Sequence, residues 1–203
     1  MLYLNVPYEE KDEAKKLGAL WNTTLKTWFI PDNANPAQFE KWLYGLEISN
    51  AYYYLCLSYD SCYKCGKLSP VFAFMIPPNS NIGSGEEDED YYYLYDSYNL
   101  LSDVTNISND VLNAIKDFTK NYYLDFSGTI KKNYFMNHCF YCNAKHGEFY
   151  LYNEPGGGFC IDETSKIFTL KINKPFHCYG DGNPINENNF VILGTNEFRS
   201  KIK

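Results

Sequence analysis

The sequence predicts an α+β fold, a small αβ unit over residues 1–48 followed by a larger β-rich unit over 49–203, on three observations. Two Cys-x-x-Cys pairs, Cys62-Tyr63-Lys64-Cys65 and Cys139-Phe140-Tyr141-Cys142, stand far apart in the chain. Aromatic and apolar runs of strand composition flank both pairs, whereas helical spacing of apolar residues is confined to a few short stretches. The acids gather in one block between the two pairs.

The first segment reads as strand, helix, two strands and helix. Tyr3, Leu4 and Val6 form a strand that Pro7 ends. Glu9, Glu10, Asp12 and Glu13 precede Lys15 and Lys16, the order of charge that a helix dipole favours, and Leu17-Gly18 supplies the stop. Strands around residues 19–21 and 26–30 follow. Asn35-Pro36 then caps and opens a helix with Phe39, Trp42, Leu43 and Leu46 on one face. The three Trp of this segment are expected in its core.

The cysteine pairs predict one metal site. Each is followed by a residue that tolerates positive φ, Gly66 or Asn143, as a knuckle requires where the chain reverses so that two thiolates reach one ion. Cys62, Cys65, Cys139 and Cys142 together make the closed, soft, tetrahedral set of a structural Zn2+ site, which leaves no position open for a substrate. Disulfides suit small secreted domains, and this chain opens Met1-Leu2-Tyr3-Leu4-Asn5 without a basic and apolar signal segment. A redox motif needs one pair at a strand-to-helix turn of a βαβ unit, a context neither pair has. Seven cysteines are an odd number, better divided into four ligands and three others. Cys56, Cys160 or Cys178 remains open as a replacement ligand, as do His138 and His146 beside the second knuckle.

Strands are expected on both sides of each knuckle: Tyr52 to Leu57 and Val71 to Ile76 around the first, Tyr134 to Met136 and Phe149 to Tyr152 around the second. The two halves should pair in one antiparallel, zinc-ribbon-like sheet. The long stretch between the knuckles then implies an inserted, helical and acidic segment, at about 77–133. A helix starting near Ser108 places Val111, Leu112, Ile115 and Phe118 on one face. The last part of the chain reads as strands and turns, with Gly156-Gly157-Gly158 a turn; it lacks the lysine and hydroxyl residue of a phosphate loop.

In the first segment, Leu4-Asn5-Val6-Pro7-Tyr8, Glu10-Lys11-Asp12, Ala14-Lys15, Leu17-Gly18-Ala19, Trp21, Lys26 and Trp28-Phe29-Ile30-Pro31 resemble a small domain of unknown function found with plasmid conjugation primases of the TraC type. They also resemble short bacterial proteins in which this domain precedes a zinc-knuckle region. The resemblance implies a bacterial, mobile-element context and brings no catalytic residue with it.

Composition bounds the function. At 203 residues the chain can bury a core without staples, so zinc would fix local geometry more than it rescues the fold. No apolar run approaches the length of a membrane span, and the expected compartment is the cytoplasm. Net charge is −7, yet residues 79–103 hold seven acids and no Lys or Arg, which leaves the rest balanced at 18 basic and 18 acidic residues. Within that block Glu86, Glu87, Asp88, Glu89 and Asp90 run into Tyr91, Tyr92, Tyr93, Tyr95 and Tyr98. Acids steer association with a basic protein, and Tyr offers contact area at low entropic cost. The leading expectation is therefore a non-enzymatic, zinc-stabilised binding module, an inhibitor or immunity protein that engages a basic partner through these residues. The alternative is a nucleic-acid-binding zinc-ribbon accessory, whose basic face would draw on Lys131-Lys132 and the tail Arg199, Lys201 and Lys203. A cysteine-dependent enzyme built on Cys160, His177 and Cys178 is the third reading. Against it, neighbouring strand residues face opposite ways.

Overall fold

The computed structural model describes residues 2–83, 96–162 and 165–202. In chain order the first elements are β1 (Leu2–Leu4), α1 (Lys11–Lys16), β2 (Leu20–Asn22) and β3 (Thr27–Ile30). The strands form an antiparallel sheet in the order β1-β3-β2. The charges of α1 fall as expected, Asp12 and Glu13 in its first turn and Lys15 and Lys16 in its last. Leu4, Ala14, Ala19, Trp28, Ile30, Phe39 and Trp42 make the core of this unit.

Two expectations for this segment are corrected. Asn35 does cap the next helix, its Oδ1 accepting from the Ala37 amide at 3.2 Å, but the helix is 3-10 and ends at Trp42. Three residues per turn stack Phe39 on Trp42 and leave Leu43 and Leu46 off that face. Leu46 instead opens β4 (Leu46–Asn50), and Gly45 turns the chain between them at a φ of +85°. A Cβ at Gly45 would meet the Gly180 backbone at 2.7 Å, so only glycine permits this approach. Trp28 and Trp42 are buried, but Trp21 is 46% exposed on β2.

The remaining strands are β5 (Tyr53–Ser61), β6 (Leu68–Ile76), β7 (Asn81–Gly83), β8 (Tyr98–Thr105), β9 (Tyr122–Ser127), β10 (Lys132–His138), β11 (Lys145–His146), β12 (Ile167–Ile172), β13 (Phe176–Ile185) and β14 (Phe190–Ile192). Among the described residues three α-helices accompany them: α2 (Asn109–Lys116), α3 (Glu148–Asn153) and α4 (Thr195–Lys201). An eight-stranded sheet runs β14-β12-β5-β6-β8-β13-β4-β7, antiparallel except for β12 with β14, and a three-stranded sheet runs β11-β10-β9. Both faces of the large sheet are covered, so residues 53–57 of β5 and 71–76 of β6 read as unbroken apolar runs. One face sets Tyr53, Leu55, Leu57, Phe72 and Phe74 against Val111 and Ile115 of α2, Phe135 of β10 and Phe198 of α4. The other sets Tyr54, Cys56, Ala73 and Met75 near Leu151 of α3 and Phe159.

The α2 helix matches its expected start and its apolar face. Three other expectations do not hold. Residues 149–152 form a helix and not a strand, because Glu148, Leu151 and the half-buried Tyr152 share one face at helical spacing while Phe149 and Tyr150 face water. The two knuckles do not join one sheet: the first closes the β5–β6 hairpin, the second lies between β10 and β11 of the smaller sheet. The stretch between the knuckles, expected as an inserted helical segment, also supplies strands, with β8 between β6 and β13 inside the large sheet. The acidic residues 86–90 and Tyr91, Tyr92, Tyr93 and Tyr95 lie outside the described residues.

Asparagine amides close the two seams. Asn137 of β10, buried, accepts from the Phe72 N–H at 2.7 Å and donates to the Phe72 carbonyl at 2.9 Å, taking the place of a strand beside β6. Asn106 does the same for Tyr3 on β1, at 2.6 and 3.0 Å, and so ties the N-terminal sheet to the end of β8. An Asn137→Ala variant would leave a buried N–H and carbonyl without partners. Chemical denaturation should show a loss of about 2 kcal/mol, with an unchanged slope.

Candidate metal centre

The four cysteines of the two pairs form one cluster. Their sulfurs all lie within 4.8 Å of one another, with Cys62 to Cys142 at 3.6 Å and Cys65 to Cys139 at 3.7 Å. Four sulfurs about 2.3 Å from one tetrahedral ion stand about 3.8 Å apart, whereas a disulfide requires about 2.05 Å. The donors and their spacing therefore fit a metal ion, and all seven cysteines are free. Cys56, Cys160 and Cys178 take no part.

The two knuckles repeat one backbone design. In the first, Cys62 N–H donates to Lys67 O at 3.0 Å and Gly66 N–H to Cys62 O at 2.8 Å. In the second, Cys139 N–H donates to Ala144 O at 2.8 Å and Asn143 N–H to Cys139 O at 2.9 Å. The residue four places after the first cysteine is left-handed in both, Gly66 at a φ of +69° and Asn143 at +56°. Glycine and asparagine are the residues that accept this conformation at least cost. The same turns aim amides at sulfur, as in the contact from Tyr141 N–H to Cys139 Sγ at 3.5 Å.

Without a cation, the sulfurs compete for charge. Burial opposes ionisation of Cys139, yet the Tyr141 and Cys142 amides and the neighbouring thiols hold it down at about 6. The same opposition is outweighed at Cys62 by the Cys65 and Lys64 amides, which lower it. At Cys142 the Ala144 amide favours the thiolate, but burial and the three other sulfurs push the thiol up to about 12. A divalent ion removes this conflict and stabilises all four thiolates together.

Neither flanking histidine joins the cluster. His138 has Nδ1 3.1 Å from Met136 O and Nε2 3.1 Å from Asp125 Oδ2, and its ring stacks on Tyr123 at 3.8 Å. His146, buried on β11, sets Nδ1 2.6 Å from Asp60 Oδ2 at the end of β5. Burial works against its charged form, but Asp60 together with the Cys139 and Cys62 sulfurs lifts its pKa above the usual imidazole range. This Asp60–His146 pair behind the sulfurs was not legible in the sequence, since 86 positions separate its members.

His177 and Cys178 face apart. Cys178 is buried in the main core, where burial drives its thiol far up, while His177 on the adjacent position meets Glu47 at 2.9 Å on the surface. Cys160 is half-buried in the turn after α3. Tyr98 packs its ring against Tyr54 and Phe190, with centroids 6.0 and 5.0 Å away. Among the described residues no helix is long and apolar enough to cross a membrane.

Replacing Cys62 or Cys139 by Ser should abolish stoichiometric metal, while Cys160→Ser should leave it intact. Protons compete for the thiolates, so retention should be complete at neutral pH and fall as the pH is lowered. Metal analysis after dialysis at stepped pH checks both points.

Residues 1–44 match a family described as "Domain of unknown function (DUF5710)". The chain is 51% identical over 43 residues to one protein named DNA primase TraC from Escherichia coli and 52% identical over 40 residues to another of the same name and organism. These matches cover 21% and 20% of this chain but only 3% and 4% of those proteins, so the chain spans a small fraction of the relatives it resembles. No solved structure matches. The N-terminal unit, from β1 to the 3-10 helix, is thus a small domain of the kind associated with TraC primases.

Proposed function

We propose that the protein is a non-enzymatic binding module that serves the nucleic-acid-processing machinery of a mobile element, with zinc as its structural ion. The observation that carries this reading is the closed set of four sulfurs, within 4.8 Å of one another at the meeting of two hairpins. Four thiolates fill the tetrahedron, so the ion holds the hairpins together and has no position for a substrate or an activated water. Zinc suits such a soft tetrahedral set. Thiolates also persist best in a reducing compartment, which favours the cytoplasm. The TraC-type domain at the N-terminus supports the mobile-element context.

The partner surface proposed from the sequence is the acidic, Tyr-rich segment, Glu86, Glu87, Asp88, Glu89 and Asp90 with Tyr91, Tyr92, Tyr93, Tyr95 and Tyr98, the last of which packs on Tyr54 and Phe190. The concentration of seven acids without a base over residues 79–103 favours a protein with a basic surface there. An inhibitor or immunity role is the specific form this reading takes. A pull-down that compares the natural chain with a variant changed at 86–90 to Gln and Asn tests it. Loss of the partner, with metal content and melting temperature unchanged, is the expected result; retention would remove the acidic segment from the mechanism.

A further inference from the structure

A groove of about 690 Å³ runs between the N-terminal domain and the β9–β10 hairpin. Its walls come from β1 and the segment after it, from the β2–β3 hairpin and from the β9–β10 turn. The seam below it is fixed, because Asn133 N–H donates to Asn5 Oδ1 at 3.0 Å.

The lining is unusual for this chain. Although the protein carries a net charge of −7, the groove is lined by Lys11, Lys26, Lys131 and Lys132 and a single acid, Glu9. Lys132 is engaged, with its ammonium 3.2 Å from the Tyr44 ring centroid and facing Asp103 and Asp181. Lys26 and Lys131 are exposed and form no ion pair among the described residues. Both are left-handed, at a φ of +52° and +57°, at the ends of the two hairpin turns that face each other across the groove.

Between the lysines lie open aromatic surfaces. Trp21 is 46% exposed and is propped by Trp28, with ring centroids 5.3 Å apart and planes at 61°. Phe126 is also exposed in the lining, as is Tyr8, whose ring carries the Lys11 ammonium 3.5 Å from its centroid. Asn133, beneath the lining, has a buried amide oxygen that accepts no hydrogen bond among the described residues. A large aromatic left half in water beside another aromatic costs burial it would otherwise gain, unless a flat partner covers it.

We propose that this groove binds single-stranded nucleic acid, with bases stacked on Trp21 and its aromatic neighbours and phosphates paired with Lys26 and Lys131. Alternating aromatic platforms and cations are what unpaired strands require, since every base has a π-face and every linkage a negative charge. Duplex would hide its bases from the aromatics. Its lining shares no residue with the sulfur cluster or with residues 86–90, so it stands or falls independently of the partner proposed above.

The test is titration of the full-length, metal-loaded chain with a fluorescein-labelled oligothymidylate and with a duplex of equal length, following anisotropy and tryptophan emission. Trp28 and Trp42 are buried, so quenching reports chiefly on Trp21. The single strand should bind at low salt, quench the emission, weaken steeply as salt rises, and outcompete the duplex. Trp21→Ala and the double variant Lys26→Gln/Lys131→Gln should each weaken binding about tenfold, whereas Trp21→Phe should largely restore it. The variant changed at 86–90 should bind the oligonucleotide as well as the natural chain does. Absence of binding at low salt, equal affinity for duplex, equal displacement by a polyglutamate peptide, or full affinity in the folded lysine variant would each overturn the proposal.

Discussion

Four sulfurs held within 4.8 Å of one another are tolerable as thiolates only around a cation, and the rest of the structure is arranged to bring them there. Without one, the Tyr141 and Cys142 amides and the neighbouring thiols hold Cys139 down at about 6, while burial and the other three sulfurs push Cys142 up to about 12. The knuckle turns lower this conflict with backbone amides but cannot remove it. An ion does, and in doing so it joins the β5–β6 hairpin of one sheet to the β10–β11 hairpin of another. A bound ion would therefore add to a contact between the two sheets that Asn137 and Phe135 also hold.

The seams around this staple are polar where apolar packing would be expected. Asn137 occupies the open edge of β6 at Phe72, and Asn106 occupies the edge of β1 at Tyr3. An amide side chain offers the same donor and acceptor as a peptide group, so it ends a sheet without leaving backbone groups unpaired. Apolar contacts give these junctions no direction, whereas paired amide bonds fix which residue meets which. The N-terminal domain thereby lies against the β9–β10 hairpin in one register, and the groove lined by lysines and aromatics is the surface that register leaves open.

What was legible in the sequence was local. The cysteine spacing and the residues after each pair identified the cluster and its left-handed turns, and helical spacing after Ser108 identified α2. The helix at 148–153 was hidden because its exposed face is aromatic, Phe149 and Tyr150, and such residues favour strands until burial of Leu151 decides otherwise. The helix at 195–201 has one buried anchor, Phe198, too little for a periodic signal. Trp21 read as core because nothing in its neighbours separates it from Trp28; only the strand pairing of the two shows which is covered. The central place of β8 and the Asp60–His146 pair depend on contacts between distant positions, which no local pattern encodes.

X-ray absorption at the zinc edge of the purified protein tests the central claim most directly. The account predicts one zinc per chain with a shell of four sulfurs at about 2.3 Å and no nitrogen or oxygen. A shell containing imidazole or water, or a protein that holds no metal and carries disulfides between these cysteines, would contradict it.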